Sequence, residues 1–287
     1  MAKKNDDQLR VDEEKYVGFS VACNNDEANA CHSLGEWYAV LRGNFSKAGE
    51  LFLPNCTDRK YGNSCFSMGL LYGEPWRALV APRRPQYAVA SSCAAASTTF
   101  AATGRGAERS KPKSLAMFER ACELGNGDGC DLAGRTLMEE AAKLEKGGDD
   151  AAAVVAASSG HGTAASMRER AVELLERGCG PLESATACKF LGEVFLVGRF
   201  GHAADKPRAA KYLETACEQF EMTACRNLMV MHSRGDGVPK DFDKAEEYRR
   251  RSVEAVEAES GVKMPEYLQD RYKQQQTDAR AGGPGSR

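Results

Sequence analysis

Ten of the chain's eleven cysteines fall into five pairs, and their spacing limits the fold more than anything else in the sequence. The pairs are Cys23 and Cys31, Cys56 and Cys65, Cys122 and Cys130, Cys179 and Cys188, and Cys217 and Cys225, with Cys93 left over. Seven or eight residues separate the partners, too many for the C-x(2 to 4)-C spacing of a structural zinc knuckle. On one continuous helix such partners would stand about 12 Å apart at Cα, whereas a disulfide requires about 4.4–6.8 Å. A turn must intervene if they bond. The sequence offers turn residues there, Gly125 to Gly129 before Cys130 and Tyr61 to Ser64 before Cys65. The pairs therefore look like clips across helix-turn-helix corners.

Aligned on the second cysteine of each pair, the chain repeats itself. Three residues on stand Leu34, Met68, Ala133, Leu191 and Leu228, and seven on stand Tyr38, Tyr72, Leu137, Phe195 and His232. This is one face of a helix A. The fourth residue is Gly35, Gly69, Gly134 and Gly192, then Met229. Glycine costs about 1 kcal/mol inside a helix, so its recurrence predicts close approach of a neighbouring helix backbone. Read backwards from the first cysteines, helix B has a small residue at −8 (Ala48, Ser114, Ala171, Ala209) and a large one at −4 (Phe52, Phe118, Leu175, Leu213). In the last unit Val253 takes the cysteine position and Arg249 the large one, as a terminal capping helix requires. The second cysteines recur after 34 or 37 residues where nothing is inserted, a period expected of stacked helix pairs.

These observations predict an all-α chain, an α-solenoid of about five helix-turn-helix repeats with bridged corners. The expected organisation is a flexible N-terminus over 1–11, the solenoid over 12–260, and an extension with a solvated tail over 261–287. Two low-complexity insertions, 74–110 and 147–166, are rich in Ala, Ser, Thr and Gly and are expected as disordered or loosely helical loops between helices A and B. With 39 basic against 41 acidic residues, the net charge of −2 gives no electrostatic case for nucleic acid. No run approaches the roughly 18 apolar residues of a transmembrane helix.

The corner followed by L-G-x-x-Y, and Gly235 to Asp241 with Ala245 and Tyr248, resemble the Sel1-like repeat, a relative of the TPR repeat. The cysteine pairs resemble its disulfide-rich branch, and in particular the cytochrome c oxidase assembly factors of the mitochondrial intermembrane space. Asn44-Phe45 with Ala48, Asn55-Cys56, Asn63 to Cys65 with Gly69 and Tyr72, and Ala224-Cys225 through Asp241 carry that likeness. It implies disulfides within the five pairs, with Cys93 unpaired, and import through a disulfide relay. It also implies a non-catalytic scaffold that binds respiratory-complex subunits or assembly intermediates. A permanent accessory subunit is an alternative, as is a reduced cytosolic protein in which the cysteines merely pack. The charged, acidic segment Met1 to Lys15 has neither a secretory apolar core nor a transit-peptide composition.

Bacterial cysteine-rich relatives raise a third class, weak β-lactam hydrolysis, and Ser110 to Lys113 fits S-x-x-K. No K-T-G or S-D-N element accompanies it, and Ser110 with Pro112 equally reads as a helix cap and first turn. No catalytic, metal or cofactor site is predicted. The resemblance implies haem ligation by histidines one and eight residues after the third repeat's second cysteine, but those positions hold Asp131 and Met138. The ligand pair thus does not carry over, and haem is kept only as an alternative to no cofactor. Of the four histidines, His161 lies in the second insertion, His202 in a turn, His232 at a packing position, and His32 is expected to line a concave surface. Met229, Met231 and His232 read as core rather than a soft-metal site. Arg249 to Arg251 reads as a solvated basic face, or one meeting an acidic partner or lipid. Alkylation without reduction is expected to modify one thiol, Cys93, and alkylation after reduction all eleven, as read by intact mass.

Overall fold

The computed structural model describes residues 2–73, 109–147, 150–158, 160 and 162–261. Twelve helices and no strand are present among them. The first is α1 (Ala2–Asn24), followed by the hairpin partners α2 (Ala28–Leu41) and α3 (Phe45–Thr57). Next come α4 (Gly62–Tyr72) and α5 (Lys111–Glu123), then α6 (Gly127–Glu145), α7 (Asp150–Ser158) and α8 (Ala164–Cys179). The chain ends in α9 (Ala185–Val197) with α10 (Lys206–Glu218), and α11 (Met222–Arg234) with α12 (Phe242–Ser260). Residues 1–174 and 175–287 form two compact units, the boundary falling within α8.

Helices α2, α4, α6, α9 and α11 are the expected A helices, and α3, α5, α8, α10 and α12 the B helices. B helices begin where a short polar side chain replaces a missing backbone partner. Asn44, Ser110, Asp205 and Asp241 accept from the backbone N–H three residues on. Ser110 is thus a helix cap with Pro112 in the first turn. Each of those four N-cap N–H groups donates to the carbonyl of the helix A residue seven past the cysteine: Tyr38, Tyr72, Phe195 and His232, at 2.8–2.9 Å. Between Tyr72 and Ser110 this bond holds although 37 residues intervene, so the first insertion leaves the hairpin geometry unchanged.

The recurring glycines form notches for side chains. A β-carbon at Gly69 would stand 2.6 Å from the Phe118 ring, one at Gly192 2.6 Å from Leu213, and one at Gly35 would also collide with Phe52. The expected close approach of backbone gives way to a large apolar knob from the next helix B, because that knob is what reaches the groove between turns of helix A. At Gly192 a backbone atom also comes near, the Ala209 carbonyl at 3.4 Å. In the last pair the knob position is Arg249, which turns to Glu246 on its own helix, and Met229 replaces the glycine. The small position −8 lies against the same helix: Ala48 and Ala209 are fully buried, and the Ser114 hydroxyl donates to the Gly69 carbonyl at 2.8 Å.

Three expectations change. Most of the stretch 1–11, expected to be flexible, forms the first turns of α1. The second insertion, expected to lack core residues, contains α7, whose Val155 and Ala156 are buried; this short apolar run packs on α5 and α6. His32 is 8% exposed and lines no open surface. Cys93, His161 and the extension 262–287 lie outside the described residues.

The notches predict that Gly69→Ala lowers stability by about 1–3 kcal/mol through overpacking. Phe118→Leu in the same chain is expected to recover part of that loss, measured as non-additivity in a urea-denaturation double-mutant cycle.

Candidate functional site

The feature built most consistently into this chain is the corner. In each of the five, the first cysteine lies in the last two residues of its helix and the second is the fourth residue of the next. Cα atoms of the pairs are 4.5–4.8 Å apart and all five are bonded. Five residues before the second cysteine the chain takes a left-handed conformation: Asp26 (φ 68°), Lys60 (55°), Gly125 (88°), Glu183 (50°) and Phe220 (62°). The following residue is extended and begins helix A. Its N–H donates to the carbonyl preceding the first cysteine in every corner, Glu27 to Ala22, Tyr61 to Asn55, Asn126 to Ala121, Ser184 to Gly178 and Glu221 to Ala216, at 2.8–3.1 Å.

Sequence reading placed one turn on the glycines around Gly125 and the other on Tyr61 to Ser64. Gly62 to Ser64 belong to α4, and the reversing residue is Lys60. Four of five left-handed positions carry side chains that cost roughly 1–2 kcal/mol there, so composition gave no signal for them.

Behind the second corner lies a polar chain missed by the sequence reading. Asn55 Nδ2 donates to Ser64 Oγ at 2.7 Å, Ser64 Oγ stands 3.1 Å from His32 Nδ1, and His32 Nε2 is 3.4 Å from Glu36. A donor direction from Asn55 to Glu36 satisfies each link in turn. The Ser–His–Glu order is that of a nucleophile relay, but Ser64 is fully buried, so no substrate reaches it. The hydrogen bond from His32 holds the Glu36 carboxyl below its ordinary range.

Consecutive B helices exchange polar contacts within each unit. Arg170 faces Glu119 at 3.7 Å, and Arg208 and Tyr212 share Glu176 at 2.8 and 2.5 Å. Burial and then the Glu176 carboxylate hold the Tyr212 phenol above its usual range. Basic residues at the third position of helix B cover helix A rings, Lys113 over Tyr72 at 5.8 Å and Arg208 over Phe195 at 4.1 Å. At the first repeat a cleft of about 630 Å³ is lined by Glu13, Tyr16, Val17, Trp37, Tyr38 and Arg42, among others.

The residues weighed for chemistry are accounted for by packing. Asp131 pairs with Arg135 at 2.7 Å and Met138 is fully buried. His232 stacks on Tyr248 and its Nδ1 lies 3.3 Å from the Pro239 carbonyl. His202 packs on Phe195. Arg249, Arg250 and Arg251 each meet a glutamate of α12. Among the described residues no group of three or more His, Cys, Asp or Glu is placed to hold a metal.

The Sel1 repeat family model matches residues 92–126, 185–219 and 223–255. The chain thus contains Sel1 repeats over those residues. The first match begins inside residues expected as an insertion, and its part up to 108 lies outside the described residues. Among curated relatives, a cytochrome c oxidase assembly factor 7 homolog of Drosophila melanogaster is 26% identical, the alignment covering 88% of this chain and 90% of that protein. Cytochrome c oxidase assembly factor 7 of Xenopus tropicalis is 22% identical over 82% of each. Among solved structures, a Sel1 repeat protein from Oxalobacter formigenes superposes with a TM-score of 0.50 at 17% identity, covering 82% of this chain and 76% of that one. The helical repeat fold is thus shared with that Sel1 repeat protein.

The lowered Glu36 carboxyl makes a stability contribution that is present above the ordinary glutamate range and lost as pH falls through its depressed value. The advantage of wild type over Glu36→Gln, read as the urea midpoint, is therefore expected to shrink from pH 6 to pH 3.

Proposed function

We propose that this chain is a non-catalytic binding scaffold that assists cytochrome c oxidase assembly in the mitochondrial intermembrane space. The observation that carries the reading is likeness along nearly the whole chain to proteins named as cytochrome c oxidase assembly factor 7, joined to bonded cysteines at all five corners. Disulfides persist in oxidising compartments and are rare in the cytosol. Entry as a reduced, unfolded chain followed by oxidation through a disulfide relay fits corners that close only eight or nine residues each. No described helix is long and apolar enough to cross a membrane. A scaffold role is supported by the side chains themselves, since Asp131 pairs with Arg135 and the His232 ring stacks on Tyr248. The hydroxyl of Ser110, in the S-x-x-K sequence Ser110 to Lys113, accepts from the Lys113 N–H. Partners would be subunits or assembly intermediates of the oxidase.

In cells depleted of the endogenous relative, the chain is expected to restore assembled cytochrome c oxidase on native gels and to co-migrate with partly assembled species. Protease protection is expected to place it between the mitochondrial membranes. Stable co-migration with the mature complex would instead make it an accessory subunit, and unchanged oxidase levels would overturn the reading.

A further inference from the structure

We propose that the Cys23–Cys31 disulfide is the thiol-exchange site of this chain, attacked at Cys23, and that opening it frees α1 from the aromatic face of α2. The five corners are chemically alike where exchange is concerned. Each second cysteine is the fourth residue of its helix A, so a departing thiolate gains the same help from the helix N-terminus in every corner. Leaving-group quality does not distinguish them. Access does. Eight cysteines in the other four corners are 0–5% exposed and Cys31 is 1% exposed, whereas Cys23 is partly exposed. The second corner shows the contrast: Cys56 and Cys65 are packed under Ala121, with Phe66, Met117 and Leu124 around them.

The step balances with any small thiol as co-reactant. A thiolate attacks Cys23 Sγ, the Cys23–Cys31 bond breaks, and its electron pair leaves on Cys31, which takes a proton from solvent. A second thiolate then attacks the external sulfur of the mixed disulfide, releasing Cys23 as a thiolate and forming the oxidised thiol. The corner then keeps its backbone bonds, among them Glu27 to Ala22 at 3.1 Å, and the Arg59–Asp26 ion pair at 2.6 Å. Across the α1–α2 contact lie the Tyr16 and Trp37 rings, 4.8 Å apart, and the Tyr16–Tyr38 hydroxyl contact at 3.4 Å. Trp37, 8% exposed, is the residue uncovered when α1 departs.

The test uses the full oxidised chain, reduced glutathione as the probe, and quenching with N-ethylmaleimide before peptide mapping by mass spectrometry. Glutathione is expected on Cys23 and maleimide on Cys31 while the other eight corner cysteines stay bonded. Another pair opening first, all five opening together, or an adduct on Cys31 would each overturn the proposal. In a Trp76→Phe chain, where Trp37 reports alone, acrylamide quenching is expected to rise about twofold or more with opening of this bond, as local release of an end helix requires. Unchanged quenching with the bond open would overturn the release of α1. A chain with Cys23→Ser and Cys31→Ser is expected to show the high quenching without added thiol; if it does not fold, the wild-type mapping still decides.

Discussion

Everything in this fold hangs on a chain reversal accomplished in a few residues between two helices. The corner solves that problem three times over. A left-handed residue turns the chain, the next N–H returns to the carbonyl before the first cysteine, and the disulfide fixes the two helix ends at 4.5–4.8 Å between Cα atoms. In two corners an extra residue separates the cysteines, yet the left-handed residue and the N–H bond keep their places relative to the second cysteine. The register is therefore counted from helix A, and the extra residue is absorbed at the end of helix B. In the chain-entropy account each bond closes a loop of about nine residues and contributes roughly 2.5 kcal/mol. That margin explains how Asp26, Lys60, Glu183 and Phe220 are tolerated where only Gly125 is at ease.

A second constraint couples the helices of a hairpin. The notch at Gly35, Gly69 or Gly192 and the knob at Phe52, Phe118 or Leu213 are one interaction seen from two helices. Either half alone is destabilising: a glycine without its knob leaves a void, and a knob against alanine has nowhere to go. The last hairpin shows the rule by its exception. With Arg249 in place of the knob, the facing position becomes Met229, a flexible side chain suited to filling an irregular gap.

The helices, the hairpin order and the placing of ten cysteines at the corners were legible because each rests on a local pattern repeated several times. Glycine in the fourth place after a cysteine was equally legible as a constraint, but its partner was not. Whether a notch receives backbone or a ring depends on side-chain reach across helices, which spacing alone does not encode. The left-handed residues escaped for the opposite reason, since their conformation is imposed by the ring that the disulfide and the N–H bond close. The link from His32 to Ser64, and from Ser64 to Asn55, joins residues 32 and 9 positions apart with no shared motif, so only the fold brings them together. The buried face of α7 hides in an alanine-rich stretch whose two valines look insufficient until α5 and α6 supply the other walls.

Local closure also explains where the chain accepts extra sequence. The reversal from helix B to helix A is held by the disulfide, the left-handed residue and a backbone bond, and in all five corners its length varies by one residue only. The reversal from helix A to helix B is held by a polar cap and one backbone bond, and it ranges from the short Tyr38 to Asn44 link to the 37 residues between Tyr72 and Ser110. Lengthening such a loop about sevenfold costs only about 2 kcal/mol in closure entropy, since each doubling adds about 0.6 kcal/mol. The same insertion at a disulfide corner would displace the left-handed residue, the N–H bond and the cysteine together. Variation is thus confined to one end of each hairpin, and the bridged end is the part of the repeat that stays constant.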